Sequence, residues 1–212
     1  LCRRSLACSV GRGMMTMGSL EPLMAEVLPV PKLNLTGRVP PNNGSVKLDT
    51  DAAPSELTLW PEFHNGVAAG LRVGLAEGES RGLSNTGQAP RVTRNWIVYN
   101  RTAANAAASA AARANSQGAV EAAMASHAGV LLALGLQGHL RVLSNADILD
   151  YLQQGHEPTT IAMLLGMAAS KQGSAHPRLS KTLCCYIPSL LPSRHQEIDI
   201  SPLVQTAALA GL

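Results

Sequence analysis

Histidine is the side chain in this sequence best suited to acid–base chemistry, because its pKa lies close to neutral pH. The chain has six histidines, and they are His64, His127, His139, His156, His176 and His195. His156 precedes Glu157, a pairing of base and carboxylate that enzymes can use, but no nucleophile stands near it in the sequence. His139 and His156 also follow predicted helix ends, where a histidine can cap the last carbonyls of the helix. We therefore predict structural roles for these histidines.

Short motifs that mark common active sites or metal sites do not occur in the sequence. It contains no G-x-S-x-G elbow, P-loop, G-x-G-x-x-G or H-E-x-x-H. The four cysteines, Cys2, Cys8, Cys184 and Cys185, form no C-x-x-C pair. Reduced thiols of a cytosolic or nuclear protein are the simpler interpretation. We predict that the protein is not an enzyme and has no catalytic residues, no cofactor and no metal.

Charge and hydropathy argue against nucleic-acid and membrane partners. The chain carries 17 basic and 14 acidic residues, a net charge of +3, and its basic residues form no continuous run. Apolar residues and glycines fill positions 128–136 without a break, whereas a membrane-spanning helix needs about 20 apolar residues. The first ten residues resemble a signal peptide only faintly. The chain begins with a leucine, and an apolar run continues to Leu212, so we expect the sequence to be part of something longer.

Residues 1–61 have the composition of an extended arm. Its prolines include Pro22, Pro29, Pro31, Pro40 and Pro41. Proline fixes its own φ angle and favours an extended conformation in the residue before it. Four apolar side chains, Leu28, Val30, Leu33 and Leu35, could lie along another surface. We predict an ordered strap on a partner surface in preference to a free linker.

The segment from residue 62 to residue 100 is predicted to hold a short helix and a short strand. Gly66, Gly70, Gly74 and Gly78 lie four residues apart, so small residues share a helical face that another backbone can approach. The β-branched and aromatic residues at 95–100 favour a strand. Residues 101–125 are mostly alanine and lack a large apolar face, so we predict a low-complexity insertion, a frayed helix or disorder there.

Residues 126–212 carry the start and stop signals of successive helices. Ser144 and Asp147 have the spacing of a capping box, and Gly155 stands where a helix ends. Ser201 precedes a proline, as the first residues of a helix often do. The same serine and proline are a minimal site for proline-directed kinases, but helix capping is the preferred interpretation.

Small and aliphatic residues leading to a glycine recur along the chain. The glycines concerned are Gly70, Gly135, Gly166 and Gly211. The last three are separated by 31 and 45 residues, and amphipathic helices are predicted between them. One buried and one amphipathic helix per repeat is typical of an α-solenoid, in which a glycine lets the next helix come close. We predict an all-α fold: an α-solenoid of helix-pair repeats preceded by the extended arm.

Several longer strings resemble the proteasome/cyclosome repeat family, and within it the largest scaffold subunits of the cyclosome, or anaphase-promoting complex. They are VGRGMMT (10–16), LPVPKLNLTGRVPP (28–41), FHNGVAAGL (63–71), WIVYN (96–100), AGVLLALGLQGHL (128–140), DYLQQGHEPTTIAMLLG (150–166) and YIPSLLP (186–192). These strings follow the family's order and span nearly the whole chain. The repeat glycines alone would also fit scaffold subunits of the proteasome regulatory particle, which is the alternative.

The resemblance implies a non-catalytic scaffold in a multisubunit ubiquitin ligase that controls mitotic progression and exit. It implies that the repeats close into a toroid and that the ligase chemistry belongs to cullin and RING subunits. The implied partners are those two subunits, the tetratricopeptide-repeat subunits and the Doc-domain subunit. The implied location is the nucleus and the cytoplasm.

Overall fold

Seven α-helices, one β-hairpin and three short 3-10 turns make up the regular structure of the part of the chain that is described. The computed structural model describes residues 20, 22, 26–32, 36–47, 54–74, 92–114, 117–192 and 199–212. The elements are β1 (Thr36–Val39), β2 (Gly44–Lys47), α1 (Ser55–Gly70), α2 (Arg94–Arg113), α3 (Gln117–Leu136), α4 (Asn145–Leu152), α5 (Glu157–Ser170), α6 (Pro177–Cys184) and α7 (Pro202–Gly211). This mostly helical structure agrees with the predicted all-α class.

Alternate helices lie side by side and form a row. Helix α1 packs against α3, α3 against α5, and α5 against α7. Contacts between α1 and α3 advance together along both helices, from Gly66 beside Ser126 to Gly70 beside Ala133. These two helices therefore run in the same direction, and α5 and α7 continue the row in the same sense. We call α1, α3, α5 and α7 the row helices, and α2, α4 and α6, which pack against the row, the outer helices.

Helix α3 is the centre of the core. Its residues Ala125, Ala128 and Leu131 have no exposed surface, because α1, α2 and α5 all pack against this helix. The stretch Gly118–Leu136 is long and apolar enough to cross a membrane by length and composition alone. The expectation from the sequence rested only on the unbroken run at 128–136, which is too short to do so. The core helix of a folded domain meets the same criteria of length and composition. Because α3 contacts three neighbouring helices, we interpret it as a core helix.

Local side chains set several helix ends. The Ser144 hydroxyl accepts the Asp147 backbone N–H at 3.3 Å, and the Asp147 carboxylate accepts the Ser144 backbone N–H at 2.9 Å. The predicted capping box at the start of α4 is therefore confirmed. Ser201 likewise accepts the Leu203 N–H at 3.3 Å at the start of α7. Gly155, just after α4, has a φ of 66°, a left-handed conformation that favours glycine.

The strand predicted for residues 95–100 is wrong, because these residues belong to α2. The Thr93 hydroxyl accepts the Trp96 N–H at 3.2 Å and so caps this helix. Trp96, Ile97 and Asn100 then share one helical face and are buried. Burial of that face and the helix-favouring alanines that follow outweigh the local preference for a strand.

Over residues 101–113 and 117–125 the structure shows helix, which was one of the three predicted alternatives, in place of a separate insertion or disorder. The segment completes α2 and begins α3, and these two helices pack against each other. Ala108 and Ala125 are buried, with 8% and 0% of their surface exposed. Small alanine side chains let the two helices approach, so close packing substitutes for the large apolar face that the segment lacks.

The predicted boundary of the N-terminal arm at residue 61 is placed too late. Helix α1 begins at Ser55 and continues through Pro61, which lies inside the helix and does not interrupt it. The β1–β2 hairpin also falls in the segment assigned to the arm, and its strands pair antiparallel from Thr36 opposite Lys47 to Val39 opposite Gly44.

Residues 26–32 lie against the chain's own helices. Leu28 is buried, and its backbone N–H donates to Asn100 Oδ1 at 2.8 Å. Val30 is partly buried against the same core. Leu33 and Leu35, the other two apolar side chains of the predicted strap, lie outside the described residues. The extended arm as a whole stays a prediction.

Candidate functional site: the glycine crossings

Gly135 and Gly166, two of the four predicted repeat glycines, lie against each other where α3 crosses α5. A Cβ atom added to Gly135 would lie 2.2 Å from the Gly166 Cα atom, far inside van der Waals contact. Beside this crossing the Ser170 hydroxyl donates to the Gly135 carbonyl at 2.8 Å. The two backbones therefore touch, and a side chain on Gly135 would force the helices apart.

The other two predicted glycines face side chains. A Cβ atom on Gly70 would lie 2.6 Å from the Ala133 Cβ atom. A Cβ atom on Gly211 would meet Ala168 Cβ and Leu183 Cδ2, each at 3.1 Å. Gly70 thus belongs to the contact between α1 and α3, and Gly211 to the contact of α7 with α5 and α6. Neither touches another of the four glycines, and the assignment of all four to repeats stays a prediction.

The shortest approach in the row involves a glycine that the sequence analysis did not single out. A Cβ atom on Gly129 would lie 1.9 Å from the Phe63 carbonyl oxygen, and one on Gly66 would lie 1.9 Å from the Ser126 carbonyl oxygen. The four-residue interval from Gly66 to Gly70 indicates such a contact on α1. Gly129 has no glycine four residues before or after it, so no such interval indicates its contact.

Side chains just after α3 bind carbonyls just after α1. The Gln137 Nε2 group donates to the Leu71 carbonyl at 2.8 Å. His139 Nε2 lies 2.8 Å from the Gly74 carbonyl oxygen, so this nitrogen carries the proton. His139 therefore binds a carbonyl beyond the end of α1. This contact reaches across the row to the neighbouring helix, and the prediction that His139 caps the helix before it stays a prediction.

The same segment also reaches α5. The Arg141 guanidinium donates to the carbonyl of Ser170, the last residue of α5. Helix ends leave such carbonyls without an intrahelical partner. Through Gln137, His139 and Arg141, the segment after α3 therefore connects the C-terminal ends of three successive row helices.

His156 lies at the opposite helix end from the one predicted, and His176, for which no helix end was predicted, occupies the same kind of position. Both are the N-cap residues of the helices that follow them, α5 and α6. His156 Nδ1 lies 2.7 Å from the Thr159 hydroxyl, and burial lowers the pKa of His156. His176 Nδ1 accepts the Leu179 N–H at 3.3 Å. The expectation that His156 caps the carbonyls of α4 is therefore wrong.

His127 stacks on Tyr151, with ring centroids 5.9 Å apart, and so connects α3 to α4. Burial and then the positive charge of Arg101 lower the pKa of His127 to about 4, so its ring is neutral at pH 7. His64 is exposed, and His195 lies outside the described residues. In the described parts of the chain, no three His, Cys, Asp or Glu side chains stand close enough to hold a metal ion.

Long charged side chains connect the outer helices α2 and α4. Arg94 donates to both Asp147 carboxylate oxygens, at 2.6 and 2.7 Å. This pair holds the pKa of Asp147 well below its usual range and raises the pKa of Arg94. Arg101 lies 3.6 Å from Asp150 and 4.9 Å from the centre of the Tyr151 ring. The sequence indicated Asp147 only as a cap, because 53 positions separate it from Arg94.

Known proteins similar to this chain share one theme. The family described as APC1 fourth domain matches residues 1–172. Anaphase-promoting complex subunit 1 of Homo sapiens is 41% identical over 214 residues, which is 100% of this chain and 10% of that protein. The corresponding subunit of Arabidopsis thaliana is 36% identical over 216 residues, 99% of this chain and 11% of that protein.

A further relative carries a different name. The protein called negative regulator of mitosis in Emericella nidulans is 31% identical over 210 residues, which is 99% of this chain and 9% of that protein. The chain thus spans about a tenth of the length of the curated relatives it matches. With most of its length matched by one family, the chain belongs to the anaphase-promoting complex subunit 1 family.

Proposed function

We propose that this chain is part of a non-catalytic scaffold subunit of the anaphase-promoting complex, a multisubunit E3 ubiquitin ligase that controls mitotic progression and exit. Family membership supports the complex. The contact of α3 with α5 at Gly135 and Gly166 is the observation that best supports the scaffold role. A backbone that touches a backbone has no side chain to rearrange, so it fixes the spacing of two helices closely.

We further propose that the helices are successive repeats of the proteasome/cyclosome type. Each row helix followed by an outer helix would make one repeat, with α3 and α4 as one pair and α5 and α6 as the next. The parallel row and its glycine crossings support this arrangement. Neighbour-to-neighbour stacking of this kind builds a long surface on which several partners can be held at fixed distances.

The partners we propose are the cullin and RING subunits, the tetratricopeptide-repeat subunits and the Doc-domain subunit, and the location is the nucleus and the cytoplasm. These follow from the family resemblance. On this proposal the ligase chemistry belongs to the cullin and RING subunits. The alternative, a scaffold of the proteasome regulatory particle, rested on repeat glycines alone, and the family match now favours the cyclosome.

Affinity purification of the full-length parent protein, followed by mass spectrometry, tests the proposal. We expect cullin and RING subunits to be recovered together with tetratricopeptide-repeat subunits. The Gly135→Ala variant should recover these subunits less well. The Gly118→Ala variant should recover them as well as the wild type does, because a Cβ atom on Gly118 meets nothing within 4 Å. Recovery of proteasomal ATPases instead would contradict the proposal and support the alternative.

A further inference from the structure

A groove of about 200 Å³ lies between α4, α5 and α6, away from the glycine crossings. Its floor is apolar and includes Ile148, Leu152, Met163, Met167 and Leu179. For comparison, an apolar cavity of about 150 Å³ is large enough to bind benzene. The groove can therefore take one aromatic or large aliphatic side chain, and methionines adapt their shape well to such a guest.

Cationic side chains line the same groove. Lys171 and Arg178 are both among its lining residues, and these residues include no aspartate or glutamate. Burial and then the nearby charge of Arg178 lower the pKa of Lys171. Within the described residues, the ion pairs join other side chains and leave these two cations without a carboxylate. Two like charges beside an apolar floor are stabilised when an anion comes between them.

We propose that this groove docks a short acidic segment of a partner protein. One aromatic or aliphatic side chain of the segment fills the apolar floor, and neighbouring carboxylates bind Lys171 and Arg178 through charge-assisted hydrogen bonds. Charge complementarity selects this occupant, since a basic or neutral segment would leave the two cations unpaired. The inference goes beyond the scaffold function, because the row of helices could be a scaffold whether or not this groove is occupied.

Titration of the whole chain with labelled methionine methyl groups tests the proposal. The probes are octapeptides with one phenylalanine and two aspartates one to four positions away, and a matched set with lysines in place of the aspartates. We expect saturable shifts of the Met163 and Met167 methyl signals with the acidic set and none with the basic set. The affinity should fall as the salt concentration rises, since salt screens the charges.

Charge-reversal variants provide the control. Lys171→Glu and Arg178→Glu should each weaken binding of the acidic peptides at least tenfold. Lys181→Glu should bind like the wild type, because Lys181 is exposed on α6 and does not line the groove. An acidic set that produces no saturable shift, a basic set that binds as tightly, or unchanged affinity in the two groove variants would each overturn the proposal.

Discussion

The row helices and the outer helices are held together by different kinds of contact. In the row, α3 meets α1 and α5 at glycines, and carbonyl or Cα atoms of one helix occupy the space of a missing side chain on the other. The outer helices α2 and α4 are connected through the long side chains of Arg94 and Arg101. The first kind of contact depends on shape alone, whereas the second depends on charge and therefore on pH and salt.

The row itself becomes less tightly packed towards α7. At the crossing of α3 and α5, an added Cβ atom on Gly135 would meet the Gly166 backbone at 2.2 Å. At the last contact, the three atoms nearest to a Cβ atom on Gly211 all belong to side chains, the closest at 3.1 Å. Side-chain atoms can move by a few tenths of an ångström, but a packed backbone cannot without moving its helix. Glycine is therefore required strictly at Gly135, where α3 crosses α5, and less strictly at Gly211, where α7 contacts α5.

Among the four predicted repeat glycines, the largest effect is expected for Gly135→Ala, which should lower the free energy of unfolding by about 3 kcal/mol, since the new methyl group overpacks a backbone contact. Urea denaturation monitored by circular dichroism measures this loss. Gly118→Ala is the matched control in the same helix, where alanine should leave stability unchanged or raise it by up to about 1 kcal/mol. Equal effects of the two variants would contradict the difference between crossing and exposed glycines.

A smaller effect is expected from pH at the junction of row and outer helices. His127 has a pKa of about 4 in the folded chain and about 6.5 when unfolded. Between these values the unfolded chain binds a proton that the folded chain does not, so stability falls as pH drops from about 6.5 to 4. We expect a loss of about 2 kcal/mol over that interval, less than the full 1.36 kcal/mol per pKa unit because the ring is only partly buried.

Unfolding free energies measured from pH 7 to pH 4 test the assignment to His127. His127→Gln should flatten the profile in this interval, and His64→Gln, which changes an exposed histidine, should not. The low pKa of Asp147 acts in a separate interval, since its stabilisation is lost only as pH falls below the usual range of a carboxyl group. A profile that stays steep between pH 6.5 and 4 in His127→Gln would contradict the assignment.

Gly166→Ala should cost about 1 kcal/mol, clearly less than Gly135→Ala at the same crossing. A Cβ atom on Gly166 would meet Leu140 Cδ1 at 2.9 Å, and this methyl group is the far end of a side chain that can rotate away. Its nearest backbone atom, the Leu131 carbonyl oxygen, is 3.3 Å away. Urea denaturation of the two variants measures this difference. A larger loss of unfolding free energy for Gly166→Ala than for Gly135→Ala would contradict the expected difference between the two sides of the crossing.

The smallest effect is expected for Gly211→Ala, which should change the free energy of unfolding by no more than about 0.5 kcal/mol. Crowding by Ala168 and Leu183 at 3.1 Å is offset by the higher helix propensity of alanine. A loss comparable to that of Gly135→Ala would show that the contact of α5 with α7 is as tight as the crossing before it.

Local signals in the sequence predicted the features that depend on a few neighbouring residues. The capping box of Ser144 and Asp147 needs only residues three apart, and Gly155 needs only its own backbone conformation. The close approach at Gly66 and Gly70 also follows from their interval along one helix. These features could be predicted because the physical cause lies within one or two helical turns.

Features that depend on distant partners could not be predicted in this way. Residues 95–100 have a local preference for strand, and only burial of Trp96 and Ile97 against the folded core makes them helical. His139 binds a carbonyl 65 positions away, and Arg94 binds an aspartate 53 positions away. No periodicity or spacing in the sequence records such pairings, because the row of helices must form before these groups meet.

A double-mutant cycle between Gly135→Ala and Gly166→Ala tests the central claim, a shared backbone contact, most directly. If the first substitution pushes α3 and α5 apart, the second then costs little. We therefore predict that the double variant loses about 1 kcal/mol less than the sum of the two single losses, whereas the losses of Gly135→Ala and Gly211→Ala should add within about 0.5 kcal/mol. Simple additivity of Gly135→Ala and Gly166→Ala would contradict the account.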